Sequence, residues 1–254
     1  MIPILTYHQI ATPPASPSPF RSLSVPKAHF ESQMAWLNRL GYQGLCMREL
    51  MPYLRGERTG RVVGITFDDG YQNNLTHALP VLQRFGFTST VYAVSQRLGQ
   101  SNVWDQDMGV PKSALMSEAE LKAWAHAGQE VGSHTRHHVR LLQCSEDEAR
   151  QEIALSKMEL EDLLGQAVTQ FCYPYGEFNA LHARLAAQAG YVAATTTQRS
   201  RETVGERAAQ AWFELSRVPI VRSTHWTQFL LKLLSRYEDR HDNAPKTRTQ
   251  AAAS

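Results

Sequence analysis

The chain of 254 residues has the length of a single α/β domain, since barrels of this size often fold as one unit. Hydrophobic residues make up 43% of it, enough for a substantial core, and the formal net charge of +2 gives no indication of a nucleic-acid-binding surface. No apolar run approaches the length of a membrane span, and 3 cysteines are too few for a disulfide framework.

The first residues lack the pattern of a secretory signal. They begin at once with Ile-Pro-Ile-Leu at positions 2–5, without a basic segment, an apolar segment and a cleavage site in succession. We therefore expect a cytoplasmic protein, or a periplasmic or extracellular one if a leader has been removed.

Short apolar segments alternate with amphipathic helical patterns along the chain. Strands are predicted at residues 2–6, 62–67, 89–94, 130–133, 170–173, 192–196 and 215–221. Helices are predicted at residues 26–40, 47–54, 74–85, 117–128, 145–164, 179–189 and 224–234, and Pro80 indicates a kink or a late start in the third. The alternation predicts a parallel barrel or wound sheet in one domain of residues 1–236. Residues 237–254 are polar without apolar spacing, which predicts a disordered tail.

Two adjacent carboxylates end one of these strands. The apolar segment of residues 62–67 is followed directly by Asp68, Asp69 and Gly70. Chemistry collects at this end of the strands in α/β folds. Neighbouring side chains of an extended backbone point in opposite directions, so we expect the two carboxylates to have different roles. A surface turn is the alternative for this stretch alone.

A pair of histidines follows the strand predicted at residues 130–133. His134 and His138 have the i, i+4 spacing that places both side chains on one side of a helical turn or tight loop. Two imidazoles and one carboxylate match the ligand set of a catalytic zinc site with an open position. A basic, solvated loop is the alternative for the histidines alone. Because both stretches follow predicted strands, together they favour a metal site.

Three motifs resemble those of a known family. Residues 66–70 (TFDDG), 134–138 (HTRHH) and 173–176 (YPYG) are similar to the first three motifs of the polysaccharide deacetylases, the family of the nodulation-factor deacetylase. Residues 5–8 (LTYH) and the helix at 26–40 look closest to the poly-N-acetylglucosamine deacetylase branch. The resemblance implies an irregular seven-stranded β/α barrel and the metal-dependent removal of acetyl groups from sugars.

The resemblance also implies roles for individual residues. Asp69, His134 and His138 would bind one divalent metal ion, with zinc expected and nickel, cobalt or iron as alternatives. Asp68 would act as the general base on the attacking water. The backbone N–H of Tyr175 would help to hold the oxyanion.

The third motif departs from the family pattern at Cys172. The family usually has an arginine there that orients the catalytic aspartate, so the sequence leaves open what orients Asp68. The thiol is expected to pack as a small core residue. Pro174 and Tyr175 are expected to contact the substrate. Trp104, in the long connection of residues 96–116, either stacks on a sugar ring or anchors the loop.

His8 is the candidate general acid. Relatives commonly have a Leu-x-His motif near the C-terminus, and neither His225 nor His241 lies in such a motif. His8 follows the first predicted strand, and the first and last strands of a closed barrel are neighbours. This order resembles a circular permutation of the family pattern. An imidazole can donate a proton near neutral pH. Simple capping of the strand is the alternative.

The leading functional hypothesis is metal-dependent hydrolysis of the acetamide of N-acetylhexosamine units in a poly- or oligosaccharide, with release of acetate. The alternatives are a metal-dependent amidase acting on a small molecule and a non-catalytic glycan-binding relative. The complete set of Asp68, Asp69, His134 and His138 argues against the last. An N-acetylated glycan is the expected partner, and the sequence leaves the oligomeric state open.

Overall fold

The structure is a computed structural model that describes residues 1–239. Its strands are β1 (Ile4–Tyr7), β2 (Gln9–Ile10), β3 (Ser24–Val25), β4 (Gln43–Leu45), β5 (Val62–Phe67), β6 (Thr90–Ala93), β7 (Glu130–Ser133), β8 (Gln170–Cys172), β9 (Ala193–Arg199) and β10 (Leu215–Pro219). Its α-helices are α1 (Lys27–Arg39), α2 (Met47–Leu54), α3 (Leu79–Phe85), α4 (Glu118–His126), α5 (Glu146–Leu164), α6 (Ala180–Gln188) and α7 (Trp226–Leu234). None of the helices described is long and apolar enough to cross a membrane.

A closed barrel of parallel strands forms the centre of the fold. The ring runs β1, β5, β6, β7, β8, β9 and β10, and it closes because β1 pairs with both β5 and β10. β4 pairs with the first residues of β5 and lies outside this ring. Every residue of β5 is buried, as expected for a parallel strand that is covered on both faces. The seven-stranded parallel barrel confirms the predicted fold.

The helix boundaries follow the expected capping and proline chemistry. Ser117 and Ser145 each form a capping box with the glutamate three residues on. Pro80 lies in the first turn of α3, and a π-helical segment, Asn74–Ala78, precedes it. The predicted late start of this helix is therefore confirmed. The short strands β2, β3 and β4 were not predicted, because two or three residues carry too little periodicity.

The first residues of the predicted tail contact the domain. Glu238 is buried and pairs with Lys232 of α7 and with Arg199 at the end of β9. Asp239 pairs with Arg201 at 2.8 Å. The domain therefore extends to at least Asp239, beyond the predicted boundary at 236. Residues 240–254, on which the rest of the tail prediction falls, lie outside the described residues.

Candidate active site

The carboxyl ends of the parallel strands meet at one mouth of the barrel. Asp68 and Asp69 follow β5, His134 follows β7, and the turn of residues 173–176 follows β8. Asp68, Asp69, His134 and His138 are all buried. The structure thus brings together residues that the sequence places up to seventy positions apart.

Asp69, His134 and His138 form a compact cluster of possible metal ligands. Oδ1 of Asp69 lies 3.3 Å from Nε2 of each imidazole, and the three ligand atoms lie within 4.8 Å of one another. The Nδ1 of His134 is 2.8 Å from the Cys172 carbonyl, which can only accept, so this nitrogen carries the proton. In the neutral ring the Nε2 lone pair then faces the carboxylate, so that a proton or a metal ion between the two groups stabilises the arrangement.

The pKa shifts of the cluster also favour a cation beside the Asp69 carboxylate. Burial alone would raise the pKa of Asp69, but hydrogen bonds with both imidazoles outweigh it and hold the pKa well below its usual range. Burial lowers the pKa of His138, which favours the neutral ring that binds metals. Burial also opposes the charged form of His134, but Cys172 and Asp69 outweigh it and raise the pKa of that imidazole. The space beside the carboxylate thus attracts positive charge, for which a proton and a metal ion compete.

Asp68 forms a buried bidentate pair with Arg217 of β10. Nη1 and Nη2 of the arginine each lie 2.7 Å from one carboxylate oxygen. Burial would raise the pKa of Asp68, but the charge and hydrogen bonds of Arg217 outweigh it and lower the pKa. The carboxylate is therefore ionised and fixed in orientation, as a general base must be. Arg217 fills the role that Cys172 leaves open in the third motif.

Arg217 was not among the residues predicted from the sequence, although a signal was present. The arginine is a lone charge within the apolar strand predicted at 215–221, and it is 1% exposed in the structure. Long charged side chains are almost never fully buried without a partner. An arginine in such a strand therefore indicates a buried carboxylate opposite it.

His8 lies at the mouth of the barrel beside Asp68. Its Nε2 is 3.9 Å from Oδ2 of Asp68, and its side chain is 23% exposed. Its backbone carbonyl accepts a hydrogen bond from Asn74, which fixes the end of β1. The structure thus places His8 where the sequence argument requires it, while its role as the acid stays a prediction.

An open cleft leads to the cluster. It has a volume of about 330 Å³, in the lower range for small-molecule sites. One wall comes from the loop after β2 and the other from the connection between β6 and α4, and Asp69 and His8 line it between them. A ligand in this cleft can reach both the metal-ligand cluster and the candidate acid.

A model of the polysaccharide deacetylase family matches residues 55–194. The chain belongs to the polysaccharide deacetylase family. It is 31% identical over 199 residues, 78% of its length, to YxkH of Bacillus subtilis, a candidate polysaccharide deacetylase. It is 26% identical over 172 residues, 65% of its length, to the poly-β-1,6-N-acetyl-D-glucosamine N-deacetylase of Staphylococcus aureus. These matches cover 64% and 58% of the two relatives, so the chain spans less than two thirds of their length.

Two solved structures show the same fold. The Streptococcus pyogenes deacetylase PplD superposes with a TM-score of 0.76 and 25% identity, over 91% of this chain and 97% of that one. IcaB from Ammonifex degensii superposes with a TM-score of 0.75 over 89% of this chain and 94% of that one, and at 23% identity this likeness concerns the fold alone. The barrel of this deacetylase-family member therefore matches its relatives over nearly its whole described length.

The aromatic residues near the site pack on His138. The Trp104 ring is stacked on it at 4.3 Å between centroids, and the Tyr175 ring meets it edge-on at 4.7 Å. One face of Trp104 is therefore occupied, which supports its role as a loop anchor. The Tyr175 hydroxyl donates to Asp105 at 3.1 Å. Pro174 is buried in its turn, which does not support the predicted contact with substrate.

The backbone of the third motif leaves one N–H group unused. The N–H of Gly176 donates to the Tyr173 carbonyl and that of Glu177 to the Pro174 carbonyl. The Tyr175 N–H between them makes no hydrogen bond to another group in the part of the chain that the structure describes. It therefore stays available for an oxyanion, as the family resemblance implies.

Left-handed backbone is concentrated at the site. Asp69, Thr135, His138 and Tyr175 have φ values of 71°, 64°, 61° and 59°. Such conformations cost about 1–3 kcal/mol each for residues with side chains, and they persist where the surroundings hold them. The contacts that hold these four residues in the left-handed conformation therefore also maintain the geometry of the candidate site.

Glu152 of α5 holds the loop that carries the histidines. Its Oε2 accepts hydrogen bonds from the N–H groups of Arg136 at 2.9 Å and His137 at 3.0 Å. Its Oε1 lies 2.6 Å from Nδ1 of His137. One carboxylate thus fixes Arg136 and His137, two of the three residues between His134 and His138. Sequence analysis missed it, although an acid among the core-facing positions of a helix is a usable signal.

The Glu152 contact predicts a loss of metal affinity when the carboxylate is removed. Glu152→Ala should weaken binding about 10- to 100-fold, because groups that orient metal ligands typically contribute this much. Glu152→Gln keeps an acceptor for the backbone N–H groups and should lose less. Competition with a chelating dye measures the affinities. Glu159→Ala is the control, because it removes an acceptor of the Arg136 side chain and of the Ser95 hydroxyl but leaves the Glu152 contacts with the backbone N–H groups in place. Equal affinities for all of these proteins would contradict the assignment.

The buried pair predicts a large stability effect at Arg217. Arg217→Met should lower the free energy of unfolding by about 3–5 kcal/mol, because it leaves the buried Asp68 charge unpaired. Adding Asp68→Asn should restore part of the loss, since no unpaired charge remains. Urea unfolding measures both.

The same arginine-to-methionine substitution in an exposed ion pair is the control for Arg217→Met. Arg150→Met breaks the pair with Glu146, in which both side chains are about half exposed, and should cost less than about 1 kcal/mol. Similar losses at the two sites, or no recovery in the double variant, would show that the buried pair does not carry the effect.

Proposed function

We propose that this protein hydrolyses the acetamide of N-acetylhexosamine units in a poly- or oligosaccharide and releases acetate. The observation that carries the proposal is the placement of Asp68, fixed by Arg217, beside the cluster of Asp69, His134 and His138, whose Asp69 lines an open cleft. A base next to a three-ligand metal site is one arrangement that can activate water for amide hydrolysis.

Asp69, His134 and His138 would hold one divalent cation. Their donor set suits zinc, with nickel, cobalt and iron as alternatives. Such a cation, when bound, polarises the substrate carbonyl and makes water more acidic. The protein's own part is to keep the Asp68 carboxylate ionised and the His134 imidazole oriented, which the contacts of Arg217 and of the Cys172 carbonyl support.

Three further groups transfer the protons of the reaction and stabilise the negative charge that develops on the substrate. Asp68 accepts the proton of the attacking water, because it is ionised and held by two hydrogen bonds. His8 donates a proton to the leaving nitrogen from the same side of the cleft. The free Tyr175 N–H hydrogen-bonds the oxyanion that develops on the acetyl group.

The glycan is proposed from the relatives. The Staphylococcus aureus proteins named above act, by their name, on poly-β-1,6-N-acetyl-D-glucosamine, so oligomers of β-1,6-linked N-acetylglucosamine are the first substrate to test. Acetate release from these oligomers supports a deacetylase. Hydrolysis restricted to small amides would indicate an amidase, and binding without hydrolysis a glycan-binding relative.

The different roles of Asp68 and His134 predict that variants of both residues lose activity, but that only the His134 variant loses its metal. His134→Ala should lose both metal and acetate release, because a ligand is gone. Asp68→Asn should keep the metal and lose about 100-fold or more in turnover, because only the proton acceptor is gone. Metal analysis of the purified proteins and an enzymatic acetate assay measure both. Full metal occupancy in His134→Ala, or metal loss in Asp68→Asn, would reverse the roles.

The acid role of His8 predicts a dependence on the leaving group. An amine needs a proton to leave and a phenolate does not, so His8→Ala should lose most acetamide hydrolysis but much less hydrolysis of an activated aryl acetate. The variant should keep its metal. The exposed His126→Ala is the matched control and should behave as the unaltered protein. Equal losses on both substrates would show that His8 holds the site together instead.

A further inference from the structure

Phe20 has an unusual backbone for an exposed aromatic residue. Its φ is 50°, and the other non-glycine residues with positive φ in the described chain are Asp69, Thr135, His138 and Tyr175, all in the candidate active site. The Phe20 side chain is 44% exposed. A strained residue whose ring stays in water adds little to the core, and such strain is concentrated at functional positions. The position of Phe20 in the fold therefore indicates a role for its ring.

Phe20 lines the same cleft as Asp69 and His8. Its loop is held in place: the Leu23 N–H donates to the Phe20 carbonyl at 2.8 Å, and the Arg222 N–H donates to the Ser22 carbonyl at 2.8 Å. The ring is therefore presented on a fixed loop.

The lining of the cleft suits an uncharged sugar. No lysine or arginine lines it within residues 1–239, whereas the carboxylates of Asp69 and Asp105 do, so the lining as a whole does not favour an anion. Amide side chains of Gln9, Gln72 and Asn73 line it together with Phe20. Amides can hydrogen-bond hydroxyl groups, and an aromatic face can pack on the apolar face of a pyranose ring.

Phe20 is also separate from the aromatic residues at the metal ligands. The ring contacts of His138 are with Trp104, His134 and Tyr175, and Phe20 is not among them in the described chain. When an acetamide lies at the ligand cluster, the Phe20 ring is thus left for another part of the ligand.

We propose that Phe20 forms a second sugar-binding subsite, in which its ring stacks on a pyranose adjacent to the one that is deacetylated. This rests on the proposed function, and it adds that the protein recognises an oligomer of at least two rings. The subsite predicts that affinity increases from the monosaccharide to longer β-1,6-linked oligomers of N-acetylglucosamine.

The test uses Phe20→Gly, which removes the ring and also relieves the backbone strain. We expect KM for a pentamer to rise about tenfold with unchanged kcat, because one aromatic contact contributes about this much. Hydrolysis of an aryl acetate should not change, and Tm should stay equal or rise. Phe20→Trp should keep the low KM. Trp226→Ala removes a 53% exposed aromatic that stacks on Trp36 outside the cleft lining, and it should keep the KM and kcat of the unaltered protein.

Two results would overturn the subsite. The first is an unchanged KM of Phe20→Gly on every oligomer. The second is a lower Tm with equal losses on all substrates, which would make Phe20 a structural residue.

Direct binding separates this proposal from the proposed function. Calorimetry of the pentamer with Asp68→Asn, alone and combined with Phe20→Gly, measures the subsite without turnover. Binding that depends on Phe20 supports the subsite even if no acetate is released, whereas acetate release that is indifferent to Phe20 leaves the function and removes the subsite. Absence of both binding and hydrolysis overturns both.

Discussion

The hydrogen bonds of β1 to both β5 and β10 are the constraint on which the site depends. Leu5 pairs with Ile65 on one side and with Val218 on the other, and the Asp68 N–H donates to the Tyr7 carbonyl at 2.9 Å. These bonds bring the start, the middle and the end of the chain to one mouth. They place Asp68 beside Arg217, although the two residues lie 149 positions apart in the sequence. An open sheet would not bring these groups together.

The buried ion pair explains how the site works without the usual arginine of the third motif. Taking two charges out of water costs several kcal/mol per ion, and only close geometry with further hydrogen bonds compensates. Arg217 has this geometry, because it also donates to the Thr196 carbonyl and to the Thr66 hydroxyl. Its Nη2 lies 3.3 Å from the Cys172 sulfur. An arginine at position 172 would bring a second guanidinium to this place, so a small side chain there and Arg217 belong together.

The sequence predicted the parts of this protein that depend on local patterns. Apolar segments with β-branched residues located the barrel strands, and residue types with short spacing pointed to the aspartate pair and the histidine pair, among which the family resemblance selected Asp69. Arg217 and Glu152 were not found, because their function depends on partners that only the closed barrel brings near. The ambiguity at Trp104 had the same origin, since its stacking partner, His138, lies on another loop.

The adjacent carboxylates show where a local rule fails and why. Alternation along a strand predicts that neighbouring side chains point to opposite faces, and on this basis Asp68 and Asp69 would separate. Instead, both reach the mouth, because Asp69 adopts a left-handed conformation with φ of 71° and leaves the strand geometry. Asp68 keeps the ladder hydrogen bond and meets Arg217, whereas Asp69 turns toward the imidazoles. One backbone rotation thus allows two neighbouring residues to meet two different partners, and the hydrogen bonds of Asp69 with His134 and His138 help to maintain it.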